Sequence, residues 1–209
     1  MRTSTMVKAN IPKYKEAIQS KRHVGIIGGT FNPIHNGHLS IAEQVYDSLQ
    51  LDEIIFMPNA IPPHKIAPQM PSQNARLAML TQAIANNPHF SLDLVEWERE
   101  GKSYTYDTMK LLTERYPNTQ FYFIIGADSV MDLSSWYRIA DLVELVQFVG
   151  VKRSGYQLET PFPVTFVDIV GSDVSSSIIR HRVQLNQSIR YLVPDQVALF
   201  IKEKGLYLG

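Results

Sequence analysis

Apolar positions along the chain alternate between two spacings. HVGIIGG (23–29) is a short β-branched run that ends in glycines, the mark of a buried strand. GHLSIAEQVYDSLQ (37–50) then places Leu39, Ala42, Val45, Tyr46 and Leu49 at helical intervals. EIIFMPN (53–59) predicts a second strand stopped by Pro58. The proline-rich loop 59–71 follows, then a helix carrying Ala75, Leu77, Ala78, Leu80 and Ile84. FSLDLVEWE (90–98) alternates as a strand does, and SYTYDTMKLLTERYP (103–117) predicts a helix ended by Pro117. QFYFIIGAD (120–128), VQFVGVKR (146–153) and PVTFVDIV (163–170) predict three more strands. Helices near 175–184 and 194–205 close the chain.

Strands alternating with helices over short loops predict an α/β fold: a single doubly wound parallel sheet with helices on both faces. Ligands of such sheets lie beyond the carboxyl ends of the strands, where strand order reverses. Three chemically unusual stretches, 28–38, 126–128 and 171–180, all follow predicted strands, so one shared cleft is expected. No repeat, low-complexity tract or second domain interrupts residues 23–209. Residues 1–22 carry Arg2, Lys8, Lys13, Lys15, Lys21 and Arg22 against Glu16 alone and lack the apolar core of a signal peptide. They read as a basic, peripheral extension.

Composition narrows the chemistry. The chain has 209 residues, no cysteine and a formal net charge of zero. Disulfides, thiolate metal sites and cysteine nucleophiles are excluded, and the usage fits a reducing cytoplasm. Neutral charge argues against a nucleic-acid partner, and no apolar run approaches the roughly 20 residues that span a bilayer.

The first unusual stretch is GGTFNPIHNGH (28–38). His35 and His38 are three residues apart, but zinc needs a third or fourth ligand. His23, His64, His89 and His181 show no ligand spacing, so no metal site is expected. Gly28 and Gly29 permit close backbone approach, and Pro33 stiffens the loop. The helix that follows turns its N-terminus, with free N–H donors, into the same space. An anion cradle is the expectation, with phosphate as its occupant, although neither GxxxxGK[ST] nor GxGxxG is present. The second stretch, GSDVSSSIIR (171–180), offers Ser175, Ser176 and Ser177 at a helix start and Arg180 a turn further on. Alone it would be an N-cap. Beside the first it forms a second phosphate grip.

These two stretches resemble the GxFxPxHxGH and SS[ST]xxR signatures of the nucleotidylyltransferase superfamily, in the right order and at appropriate spacing, from about His23 to the end of the chain. MPNAIPPHK (57–65), SYTYDTM (103–109), IIGADS (124–129), WYRI (136–139) and QFVGVKR (147–153) resemble, more closely, its bacterial nicotinate-nucleotide adenylyltransferase branch. Ser177 stands where threonine is frequent, and Asn32 where many members carry aspartate. The resemblance implies a Rossmann-like fold and adenylyl transfer from ATP to nicotinate mononucleotide, with Mg²⁺ accompanying ATP. It implies that His35, His38 and Arg180 are catalytic, as N–H or cationic donors to phosphate. Gly28, Gly29, Thr30, Phe31, Gly37, Gly126, Asp128, Ser175, Ser176 and Ser177 would bind ATP. Thr105, Trp136, Tyr137 and Lys65 would bind the mononucleotide, with Trp136 stacking on the pyridine ring and backbone amides near Thr105 and Tyr137 receiving its carboxylate. The partners implied are small molecules, in a soluble cytoplasmic protein whose oligomeric state stays open. Transfer to nicotinamide mononucleotide or another phosphate acceptor remains an alternative, as does a nucleotide sensor without turnover.

Overall fold

The structure is a computed structural model that describes residues 21–60, 70–98, 104–153, 159–171 and 173–208. Most of the basic N-terminal stretch and the Lys65 loop lie outside these residues. Among the described residues, six strands form one all-parallel sheet in the order β3-β2-β1-β4-β5-β6. They are β1 (Arg22–Gly29), β2 (Glu53–Pro58), β3 (Phe90–Leu92), β4 (Thr119–Gly126), β5 (Gln147–Arg153) and β6 (Val164–Ile169). The chain winds outward from β1 in one direction and from β4 in the other. The strand order therefore reverses between these two central neighbours, where a doubly wound sheet opens its ligand crevice.

Among the described residues, seven helices cover the sheet: α1 (Asn36–Leu49), α2 (Gln73–Ile84), α3 (Thr105–Arg115), α4 (Ala127–Met131), α5 (Ile139–Leu145), α6 (Ser176–Gln184) and α7 (Asp195–Glu203). Side chains alternate across a strand, so the central strands supply two separate cores. Ile27 of β1 and Ile124 of β4 pack with Ala42 and Val45 of α1, Met79 and Leu80 of α2, Ile179 of α6 and Val197 and Ile201 of α7. Val24 and Ile26 of β1, with Phe121, Phe123 and Ile125 of β4, pack on the other face with Met109 and Leu112 of α3, Val130 of α4 and Leu142 of α5. The expected doubly wound α/β architecture is present.

Three elements differ from the expectation. The strand expected over 90–98 stops at Leu92. There the Asp93 carboxylate accepts the Val95 N–H at 2.8 Å and Leu94 O accepts the Trp97 N–H at 2.7 Å, so the chain turns. The buried residues of this stretch, Val95 and Glu96, are adjacent in the chain and lie in the turn, whereas the alternating Phe90, Leu92 and Leu94 are only partly buried. The strand expected through Asp128 ends at Gly126, which is the N-cap of α4. After α4, Ser134 and Ser135 belong to a 3₁₀ turn (Leu133–Ser135) in which the Ser135 hydroxyl donates to Asp132 O at 2.8 Å. The helix beyond them, α5, is capped by Arg138 and was not anticipated from its seven residues.

Candidate active site

The sequence GGTFNPIHNGH leaves the carboxyl end of β1 and enters α1, with His35 as N-cap and His38 in the first turn. The two imidazole rings stack with centroids 3.6 Å apart and planes 28° from parallel. Gly37 makes this possible, because a Cβ there would stand 3.0 Å from His35 Nδ1. The His35 backbone N–H donates to His38 Nδ1 at 3.3 Å. That bond assigns the neutral His38 proton to Nε2, leaving an N–H donor on a ring that lines the cleft. His35 lies behind it, only 6% exposed. Burial holds the His35 imidazole down at about 4; burial, with His35 alongside, holds His38 at about 3. Without ligand both rings are neutral at pH 7, and each neutral ring carries one N–H.

The loop is fixed from below. Arg180 Nη1 donates to Asn32 O at 2.8 Å, and Ser176 Oγ donates to Pro33 O at 2.8 Å. Arg180 Nη2 donates to Ser177 Oγ at 3.1 Å, and Ser175 Oγ caps α6 by accepting the Ile178 N–H at 3.2 Å. The buried Tyr207 phenol donates to Asn32 Oδ1 at 2.8 Å. Thus the N-termini of α1 and α6 converge on one loop, and the two unusual stretches do meet. Each serine hydroxyl also has a structural partner here.

A cleft of about 790 Å³ opens over the β1–β4 boundary. Of the expected site residues, Gly28, His38, Thr105, Gly126, Trp136 and Tyr137 line it. A smaller cavity of about 350 Å³ adjoins it and is lined by Gly37, Gly126, Ala127 and Lys152, among others. Trp136 is half-buried, packed edge-on against Phe123 at 6.0 Å and Phe148 at 5.9 Å. It is both a core residue and a cleft wall. Thr105 opens α3, whose first amides lack intrahelical acceptors. Tyr137 is 49% exposed, with its ring centroid 4.6 Å from that of Tyr104 at the mouth.

Other expected residues lie off the cleft walls. Phe31 is 2% exposed and packs into the core, its ring meeting Phe56 at 5.9 Å and His38 edge-on at 5.2 Å. Its side chain therefore supports His38 and is unavailable to a ligand. Gly29 and Thr30 form the loop entrance. Asp128 sits exposed in the first turn of α4, outside both cavity linings. Lys65 lies outside the described residues.

Sequence reasoning passed over Asn59, Glu96, Tyr104, Ser129 and Asp132 in the larger cleft and Lys152 in the smaller. Asn59, Tyr104, Ser129 and Lys152 stand inside stretches that had been matched as whole motifs. Glu96 was hidden in the mistaken strand.

Gly126 is a clean probe of ligand approach. A Cβ built there meets nothing within 4 Å, and its φ of −75° suits any residue. Gly126→Ala is expected to leave the unfolding temperature unchanged while raising the KM of the cleft's ligand several-fold. Steady-state kinetics and a thermal melt separate the two effects.

The chain is similar to known proteins over most of its length. A family model described as cytidylyltransferase-like matches residues 26–182. A probable nicotinate-nucleotide adenylyltransferase of Geobacillus thermodenitrificans is 55% identical over 184 residues, covering 88% of this chain and 85% of that one. The nicotinate-nucleotide adenylyltransferase of Bacillus subtilis strain 168 is 50% identical over 186 residues, covering 89% and 98%. Among solved structures, the Plasmodium falciparum nicotinic acid mononucleotide adenylyltransferase complexed with NaAD superimposes with a TM-score of 0.74. At 23% identity it covers 89% of this chain and 97% of its own. At that identity the likeness speaks for the fold.

Proposed function

The chain belongs to the nicotinate-nucleotide adenylyltransferase family, and from that premise we infer that it joins ATP and nicotinate mononucleotide into deamido-NAD and pyrophosphate, a step of NAD biosynthesis. The observation that carries this reading is the convergence of two helix N-termini, the stacked His35–His38 pair and Arg180 on one loop at the β1–β4 switch point.

In the reaction, a phosphate oxygen of the mononucleotide attacks the α-phosphorus of ATP. The bond from that phosphorus to the bridging oxygen breaks, and pyrophosphate leaves with the electron pair. A phosphate oxygen at neutral pH is already a nucleophile, so no general base is required. Catalysis is positioning plus stabilisation of charge on the phosphate oxygens. His38 Nε2–H is placed in the cleft to donate to such an oxygen. His35, stacked on it, holds the ring upright and takes part as its neighbour. Arg180 has five N–H donors and uses two on Asn32 and Ser177, leaving others for phosphate. Ser176, with the α6 amides, completes that grip.

The donor set also bears on Mg²⁺. The groups assembled around the loop are N–H and O–H donors, which fit phosphate oxygens and not a bare cation. Mg²⁺ would enter with ATP, held by its phosphates and by water, and would neutralise the leaving pyrophosphate. At the other end of the cleft, Trp136 presents an aromatic wall to the pyridine ring, and the amides at the start of α3 near Thr105 donate to its carboxylate. Nicotinamide, with no carboxylate, would leave those donors unmatched. No helix among the described residues is long and apolar enough to cross a membrane; we place the reaction in the cytoplasm.

Pyrophosphate release from ATP and Mg²⁺, with nicotinate or nicotinamide mononucleotide supplied in parallel, tests the reading. The expected result is rapid release with the acid and at least about 100-fold less with the amide. Equal rates would remove the carboxylate contact, and release with neither would leave a nucleotide-binding protein.

A further inference from the structure

The underside of the β1–α1 loop is lined by donors. Asn32 O, Asn32 Oδ1 and Pro33 O receive Arg180, Tyr207 and Ser176, all from the C-terminal part of the chain. The remaining donor comes from α2. Arg76 Nη1 donates to Thr30 O at 2.9 Å, and its Nη2 reaches Asn59 O at 3.0 Å and Ala60 O at 3.3 Å. One guanidinium thus ties the loop after β1 to the loop after β2, and Asn59 lines the main cleft.

Arg76 is 1% exposed. Among the described residues no carboxylate pairs with it; apart from the carbonyls, it meets the Trp97 ring, 5.6 Å from the guanidinium carbon, and the Tyr207 phenol is near enough to act on its charge. A buried cation without a counterion is costly, even with its N–H groups on carbonyls. The charge therefore needs a reason beyond packing.

Peptide geometry supplies one. In a trans peptide the C=O and N–H point in opposite directions. With Thr30 O held on Arg76, the N–H of Phe31 is turned away from it. Phe31 has a left-handed φ of 47°, and its N–H finds no acceptor among the described residues. We propose that Arg76 is a positioning residue for adenylyl transfer: it aims the Phe31 N–H at a substrate phosphate and sets a fixed positive charge behind that donor. The Phe31 side chain is committed to the core, so its contribution to the site is through the backbone.

This inference rests on the adenylyl-transfer reading, and its test separates the two. Turnover of the wild-type enzyme is measured first, in the buffer used for the rest. The Phe31 amide resonance of ¹⁵N-labelled wild-type protein is then followed as inorganic pyrophosphate is added. A saturable downfield shift is expected; a silent Phe31 amide in an enzyme that turns over would overturn the inference and leave the function standing. Arg76→Met and Arg76→Lys are compared next, well below their unfolding temperatures. The Met variant is expected to lose at least about 30-fold in kcat with the acid-to-amide preference unchanged. The Lys variant should recover part of that loss. A lower unfolding temperature with kcat and both KM values unchanged would make Arg76 purely structural. Should the Met variant fail to fold, Arg76→Lys decides: a wild-type kcat together with a wild-type Phe31 amide shift in that variant would overturn the inference.

Discussion

His38→Ala is expected to lower kcat by about 100- to 1,000-fold, the usual loss when one preorganised donor to a developing phosphate or oxyanion charge is removed. The fold should survive. The His38 backbone N–H still donates to His35 O at 2.9 Å, and alanine is the best helix former at that place in α1. What disappears is the Nε2–H donor, the stacking on His35 and the long 3.3 Å bond from the His35 N–H. Stability should therefore fall by no more than about 1 kcal/mol. The KM of ATP should rise only a few-fold, because the donor matters most as charge moves onto the leaving pyrophosphate. Initial rates together with a denaturant melt distinguish this from a structural role. A variant that unfolds at room temperature would assign His38 to the framework.

Arg180→Lys is expected to cost about 100-fold in kcat/KM for ATP, although the charge is kept. The planar fork of Arg180 bridges Asn32 O at 2.8 Å and Ser177 Oγ at 3.1 Å and still has N–H groups to offer. A lysine ammonium is a single point with three donors and cannot hold both partners and a phosphate in one plane. Losing the tie to Asn32 loosens the β1–α1 loop as well. A stability loss of about 1 kcal/mol should accompany the kinetic effect. ATP saturation curves and chemical denaturation measure the two separately. A variant with wild-type kcat/KM would remove Arg180 from the phosphate grip.

Most of the fold was legible because strand and helix spacing carries through burial. Val24, Ile26 and Ile27 in β1, and Ala42 and Val45 in α1, are buried where the pattern placed them. Legibility failed where the backbone turns inside an apolar run. Asp93 turns the chain after Leu92, and Gly126 ends β4 although the apolar run continues into Ala127. The site was legible as motifs but not as roles. His38 and Gly126 could be named from the sequence, yet nothing in it said that Phe31 would face the core or that the serines would be engaged by the backbone. Arg76 and Tyr207 were invisible. They act on the loop from helices and turns distant in sequence, and such contacts leave no local spacing to read.

The central claim is that the enzyme positions two phosphates for one direct displacement and forms no bond to either. The measurement that tests it most directly is the configuration at the α-phosphorus of the product made from ATP in which a sulfur replaces one non-bridging α-oxygen and makes that phosphorus chiral. A single in-line attack predicts inversion. Retention would require two successive displacements through an enzyme-bound adenylyl group, and would recast one of the stacked histidines as a nucleophile.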